Sequence, residues 1–113
     1  MHIITTTLPL NDLKKMAADT FGDMVKAVVD IHREMMAVDA ELHADLESRL
    51  IEDGSQQNHL WGINLYPEAP GDDFVEFDSM INVRPSQGNR SRGVEDEAIR
   101  RKITQIVGKR ITR

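Results

Sequence analysis

Cysteine is absent from this 113-residue chain. Its absence excludes a disulfide framework, a thiolate zinc site and a thiol nucleophile, and it is consistent with a reducing compartment. The fold must therefore be stabilised by its hydrophobic core without covalent cross-links. Because the length lies near the commonest size of one domain, we expect residues 1–113 to form a single domain.

Long apolar runs are also absent. No segment approaches the roughly 20 apolar residues that a membrane-spanning helix needs. The first residues, Met1–Thr5, lack the basic region and long apolar stretch of a signal peptide. The sequence therefore predicts a cytoplasmic protein that does not associate with a membrane.

Charge is distributed unevenly along the chain. Residues 1–83 contain 5 Lys/Arg and 16 Asp/Glu, a balance of −11, whereas residues 84–113 contain 9 Lys/Arg and 3 Asp/Glu, a balance of +6. The basic part is suited to an anionic ligand, or to docking on an acidic face of the same fold or of a partner subunit. The net charge of −5 disfavours non-specific nucleic-acid binding because it repels a polyanion at long range.

Hydrophobic periodicity predicts an α+β fold. Period-two alternation and β-branched residues indicate strands, and apolar residues at helical spacing indicate helices. An alternative for residues 24–40 is that they are partly helical. We predict two layers, with an antiparallel sheet of about four strands in two hairpins, three helices on one face, and the order α-β-β-α-β-β-α. The predicted helices span residues 11–21, 45–53 and 94–111, and the predicted strands span residues 25–31, 35–39, 61–66 and 75–84.

The segment between the last predicted strand and the last helix has the composition of an anion-binding loop. Arginine forks, hydroxyls and glycine-rich backbone near a helix start are what a phosphate or carboxylate needs. Three acids at the helix start, Glu95–Glu97, oppose a bound anion, and pairing of the arginines with acids is the structural alternative. The predicted ligand-binding residues are Arg84, Ser86, Asn89, Arg90, Ser91 and Arg92.

A second candidate site is the segment Glu41–Asp45. On an extended backbone, Glu41, His43 and Asp45 would project to one side and could bind a divalent metal. His43 could also act as the general base of a hydrolase, oriented by a carboxylate. The structural alternative is that Asp45 caps a helix and His43 is an ordinary solvated side chain.

A third candidate is the polar face of the second predicted hairpin. This face could be solvated, could form the floor of a ligand site, or could be the contact of a homodimer in a non-catalytic interaction protein. Asp78 is its best candidate for a proton acceptor. The predicted face consists of Asn64, Tyr66, Glu76, Asp78, Asn82 and Arg84.

Four stretches of the sequence carry a family resemblance: Phe21–Asp30, Glu41–Asp45, Leu60–Asn64, and Phe77–Asn82 through Arg84–Arg92. The chain resembles a small bacterial family catalogued as a domain of unknown function. The resemblance spans most of residues 10–107, and the last stretch is its most specific part. It implies that these stretches form one domain, and it implies no activity.

Overall fold

The computed structural model describes residues 1–113 as three α-helices and seven strands. Four short 3-10 turns lie between β4 and α3, at residues 57–59, 71–74, 80–82 and 85–87. The helices are α1 (Leu10–Asp19), α2 (His43–Glu52) and α3 (Glu97–Arg110). The strands are β1 (His2–Ile4), β2 (Leu8–Pro9), β3 (Val25–Asp30), β4 (Met35–Val38), β5 (Leu60–Leu65), β6 (Val75–Glu76) and β7 (Ile111–Thr112).

Five of the strands form one antiparallel sheet in the order β1-β4-β3-β5-β6. The predicted hairpin at residues 25–39 is confirmed, since β3 pairs with β4 and the turn lies between them. The helical alternative for these residues is wrong. The sheet has five strands and not four because residues 2–4 add an edge strand, and β2 and β7 form a separate parallel pair.

The predicted two-layer arrangement is also wrong, because the sheet is covered on both faces. One core cluster packs Leu13 of α1 and Ile106 of α3 against one face, and a second cluster packs Leu46 and Leu50 of α2 against the other. β3 contributes to both clusters, with Val28 facing α2. A strand buried on both faces is apolar at consecutive positions, which is why Val25–Val29 reads as a nearly continuous run.

The second predicted hairpin is much shorter than expected. Its second strand ends at Glu76, and residues 80–82 form a 3-10 turn in place of a ladder. The Ser79 hydroxyl accepts a hydrogen bond from the Ile81 N–H and begins this turn. The chain therefore leaves the sheet after two residues. The part of β5 that β6 does not cover is contacted by side chains of the following segment.

The basic helix α3 is tied to the β3–β4 turn by Glu34. Lys102 and Lys109 place their ammonium groups 2.9 and 2.7 Å from the Glu34 carboxylate, and Arg110 donates to the Glu34 carbonyl oxygen. Hydrogen bonds from Lys109 and then Lys102 lower the pKa of Glu34 from 4.5 to about 2. Two basic residues of the C-terminal segment thus share one acid of the N-terminal segment.

This lowered pKa makes a prediction for Glu34→Gln. A carboxyl group with a depressed pKa in the folded state stabilises it fully above pH 4.5, and this contribution is lost as the pH falls toward 2. We expect the variant to be less stable than the wild type at neutral pH and the difference to shrink below pH 4.5. Urea unfolding across this range measures it. A difference that does not depend on pH, or one equal to that of Glu52→Gln at an exposed unpaired acid, would contradict the assignment.

Candidate functional site

Where β5 has no neighbouring strand, at Gly62, the side chain of Asn82 makes the hydrogen bonds to its main chain. Its Oδ1 accepts from the Gly62 N–H at 2.8 Å, and its Nδ2 donates to the Gly62 carbonyl at 2.9 Å. The same Nδ2 donates to the carbonyl of Arg92 at 2.9 Å. Asn82 is fully buried, so it replaces a neighbouring strand and does not belong to an open polar face.

Arg84 continues this role along the same edge. Its guanidinium donates to the carbonyls of Gln57, at 2.6 Å, and Leu60, and lies 4.3 Å from the centre of the Trp61 ring. Burial lowers the pKa of Arg84. Since both Nη atoms bind main-chain oxygens, the structure uses this arginine to hold the loop against β5.

Asn89 organises the interior of the loop that follows. Its buried Nδ2 donates to the carbonyls of Asn82 and Gly93, both at 2.8 Å, and of Ser91 at 3.1 Å. Its Oδ1 accepts from the Glu95 N–H at 2.9 Å. All of its hydrogen-bonding capacity is directed into the protein.

The loop already binds an anion of its own, the carboxylate of Glu95. Glu95 Oε2 accepts from the N–H groups of Arg90 at 2.6 Å and Ser91 at 2.9 Å. These two hydrogen bonds, first that of Arg90, lower the pKa of Glu95. The Ser91 hydroxyl accepts from the Gly93 N–H, so the N–H groups of Arg90, Ser91 and Gly93 all have partners within the protein.

Two arginines of the loop retain free donors. The Nε of Arg92 lies 2.6 Å from Asp78 Oδ1, with the two side chains 55% and 43% exposed, and both Nη groups of Arg92 are without a protein partner. The side chain of Arg90 makes no hydrogen bond or ion pair, and Ser86 is also exposed. The three predicted arginines thus have three different environments.

Beside Arg92, a group of polar side chains lies between the start of α2 and the β5–β6 end of the sheet. Asn64 Nδ2 donates to Glu76 Oε1 at 2.8 Å and to the carbonyl of Asp78 at 3.3 Å, and the Tyr66 hydroxyl donates to the same Glu76 oxygen at 3.1 Å. Asn64 is buried, and its Oδ1 has no hydrogen-bond partner. We refer to this group as the Asn64 cluster, and it consists of His43, Asn64, Tyr66, Glu76 and Asp78.

His43 is the first residue of α2 and points into the sheet. Its Nε2 lies 2.8 Å from the Ile63 carbonyl, so Nε2 carries the hydrogen and Nδ1 has the free lone pair. Burial, and to a lesser extent the charge of Lys26, lower the pKa of His43, although the Ile63 carbonyl, Asn64 and Asp78 favour protonation. The imidazole is therefore neutral at pH 7.

The predicted set of Glu41, His43 and Asp45 is not brought together. His43 and Asp45 lie in a helix and not in extended backbone, and Glu41 and Asp45 are exposed whereas His43 is buried. The structure contains no group of three or more His, Asp or Glu side chains that could hold a metal ion. Asp45 does not cap the helix through its side chain either, since the N-cap is Leu42.

The neutral state of His43 makes a second prediction. Because its folded-state pKa lies below 6.5, the unfolded chain takes up the proton first, and stability is lost as the pH falls below 6.5. We expect His43→Gln to remove part of the loss between about pH 7.5 and about pH 5.5, measured by chemical denaturation. His2→Gln, at an exposed position, should leave it unchanged. An equal pH dependence in wild type and His43→Gln would contradict the prediction.

The register of the sheet explains which contacts between site residues could not be predicted from the sequence. Lys26 and Asn64 are cross-strand partners, and His43 reaches Ile63 across 20 residues of sequence. No local spacing indicates either contact. The signal that was available is the polar residue Asn64 inside an apolar strand, which marks a buried group that needs partners.

These features define a class of protein: an α+β domain with a five-stranded antiparallel sheet covered on both faces and a partly buried polar cluster at one end. The chain belongs to the family described as "Protein of unknown function (DUF5674)", which matches residues 2–110 and confirms the predicted resemblance to a family of unknown function. No curated protein and no solved structure matches the chain. None of its helices has the length and apolar character of a membrane span.

Proposed function

We propose that this domain binds a small ligand carrying a phosphate or carboxylate group, held by Arg92 and Arg90 beside the Asn64 cluster. The observation that carries the proposal is the position of Arg92, whose two Nη groups are unpaired next to a partly buried polar cluster in which Asn64 Oδ1 also lacks a partner. A planar guanidinium with two free N–H groups on one edge fits the two oxygens of a carboxylate or phosphate.

The ion pair between Arg92 and Asp78 opposes the ligand only weakly. Both side chains are about half exposed, and solvent screens exposed pairs so strongly that they contribute little. A ligand anion on the Nη edge can coexist with Asp78 on Nε or displace it at small cost. The main-chain N–H groups that hold Glu95 stay in place, so the ligand is recognised by side chains and not by the loop backbone.

Binding of inorganic phosphate and of adenosine monophosphate, followed by isothermal titration calorimetry, tests the proposal. A charge-assisted hydrogen bond contributes about 1.5–3 kcal/mol, so we expect Arg92→Ala to weaken binding by about tenfold or more, and Arg90→Ala by less because its side chain is not held in place. Arg49→Ala, at an exposed arginine of α2, is the matched control. The proposal fails if the wild type binds neither probe, or if Arg92→Ala binds like Arg49→Ala.

A second candidate function is hydrolysis with His43 as general base. It is supported by the neutral imidazole and by the hydrogen bond from Nε2 to the Ile63 carbonyl, which leaves Nδ1 unprotonated, and the negative charge of Asp78 favours protonation of the same ring. Turnover of p-nitrophenyl acetate and p-nitrophenyl phosphate is the measurement. We expect His43→Gln to abolish any turnover and Asp78→Asn to reduce it, and turnover that survives in His43→Gln would exclude this role.

A further inference from the structure

The Asn64 cluster has more hydrogen-bond acceptors than donors. The Asn64 amide donates to Glu76 and to the Asp78 carbonyl. The Tyr66 hydroxyl donates to Glu76, and Nε2 of His43 donates to a main-chain carbonyl of β5. The donors of these side chains are therefore used within the protein, and a group that binds to the remaining acceptors must bring its own hydrogens.

The acceptors that remain lie on four side chains of the cluster. Asn64 Oδ1 has no partner although the residue is only 6% exposed. Glu76 and Asp78 accept through Oε1 and Oδ1, which leaves Oε2 and Oδ2 free. Burial lowers the pKa of His43 and the Asn64 side chain acts against this shift, so Asn64 Oδ1 faces the imidazole, whose Nδ1 also lacks a donor. Several acceptors without a donor favour a primary ammonium group, which carries three N–H donors.

The charges around the cluster favour a cation as well. Asp78 is paired with Arg92, whereas Glu76 makes no ion pair. Lys26 lies on the neighbouring strand, but its ammonium group packs 5.2 Å from the centre of the Phe21 ring. An anion alone on Arg92 would add a second unbalanced negative charge beside Glu76, and a ligand that also carries a cation would not.

Arg92 and the free acceptors are connected through one residue, Asp78. Arg92 Nε lies 2.6 Å from Asp78 Oδ1, and the Asn64 amide donates to the Asp78 carbonyl at 3.3 Å. A short molecule can therefore reach the free Nη groups of Arg92 with one end and the acceptors with the other. Asn64 Oδ1 is closed to solvent, and the exposed side chain of Glu76, which no ion pair holds, can turn to admit a ligand.

We propose that the ligand of Arg92 carries a primary ammonium group close to its acid group, as a short amino acid or amino phosphate does, an inference that rests on the proposed anion site. The acid group binds the Nη groups of Arg92, and the ammonium group binds the free oxygens of Glu76 and Asp78. Asn64 Oδ1 accepts the remaining N–H. Hydrogen bonds between an ammonium and a carboxylate are charge-assisted and therefore strong.

Isothermal titration calorimetry with the full chain tests the inference through matched pairs of ligands. Phosphoethanolamine is compared with propyl phosphate, and β-alanine with butyrate, because a methyl group replaces the ammonium group in each pair. We expect at least one of the two amines to bind about tenfold or more tighter than its methyl partner, as a charge-assisted hydrogen bond predicts.

Glu76→Gln tests the assigned carboxylate. Position 76 is exposed, and glutamine keeps an oxygen that can accept from Asn64 and Tyr66, so the fold is retained. We expect this variant to lose most of the preference for the amine without binding the methyl partner more weakly. Glu52→Gln, at an exposed acid of α2, is the matched control and should keep the preference. Arg92→Ala should weaken the binding of both members of a pair.

Two results would overturn the inference and leave the proposed anion site intact. They are equal binding of the amine and its methyl partner in both pairs, which would mean that water occupies the free acceptors, and an amine preference that survives in Glu76→Gln. Absence of binding by all four ligands would contradict the anion site at Arg92 itself, and the inference with it.

Discussion

We expect Asn82→Ala to lower the free energy of unfolding by roughly 3–5 kcal/mol, a large share of the stability of a domain of this size. The side chain makes three hydrogen bonds and is fully buried. Its removal leaves the Gly62 N–H and the Gly62 carbonyl unpaired, whereas the Arg92 carbonyl keeps the Ser79 N–H, and an unpaired buried polar group costs about 1–3 kcal/mol. Urea denaturation followed by circular dichroism measures the change.

The matched control is Asn58→Ala, at an exposed asparagine whose side chain makes no hydrogen bond. We expect this variant to lie within about 0.5 kcal/mol of the wild type. A loss of less than about 1 kcal/mol in Asn82→Ala would mean that water reaches the β5 edge and satisfies Gly62 in place of the side chain. The role of Asn82 as a substitute for a strand would then be wrong.

The sequence predicted the part of the fold that local patterns determine. The alternation in residues 25–31 and 61–66 identified two strands of the sheet, and the turn after residue 31 implied the return strand at 35–39. The helices near residues 45–53 and 94–111 were also found, with α3 beginning later, where Asp96 caps it by accepting from the N–H groups of Ala98 and Ile99. These elements are determined by interactions between residues close in sequence, so the local sequence is enough to predict them.

The strand predicted at residues 75–84 shows where a pattern misleads. Alternation reports which side chains are buried, and it does not report whether the backbone pairs with a neighbouring strand. Ser79 and Asn82 are buried because they pack and hydrogen-bond against β5, and the backbone between them turns. The pattern was right to bury Ser79, but it was wrong for the ladder and for two burial assignments: Asn82, placed on the polar face, is fully buried, and Val83, placed on the dry face, is exposed.

The candidate site was only partly accessible to sequence reasoning for a related reason. Composition identified the arginine loop, but it could not indicate that Arg84 binds main-chain carbonyls 24 and 27 residues away or that Glu95 occupies the loop amides. Which N–H groups of Arg92 stay free depends on which carboxylate pairs with its Nε. Such choices follow from packing of the whole fold, which brings Arg92 to Asp78 across 14 residues of sequence.

Gly62→Ala is expected to destabilise the fold by about 2–4 kcal/mol, because overpacking a tightly closed contact forces backbone or side chains to shift. A Cβ atom at position 62 would lie 2.6 Å from both Cβ and Oγ of Ser79 and 3.1 Å from Cγ1 of Ile81. The Ser79 N–H binds the Arg92 carbonyl, so the shift moves the segment that carries Arg92. We therefore also expect weaker phosphate binding in the same variant, measured by calorimetry beside thermal unfolding.

The double variant Gly62→Ala/Ser79→Gly separates this clash from a general effect of alanine in β5. Removing the Ser79 side chain frees the space for the new methyl group, so the double variant should be more stable than the sum of the two single changes predicts, by about 1–3 kcal/mol. Gly108→Ala is the opposite control, since nothing lies within 4 Å of its added Cβ in α3, and it should stabilise the chain by about 0.5–1 kcal/mol. If the effects of the two single changes on the free energy of unfolding simply add, Ser79 and the turn at residues 80–82 do not pack tightly against β5. The inferred coupling between this strand and the arginine loop would then be wrong.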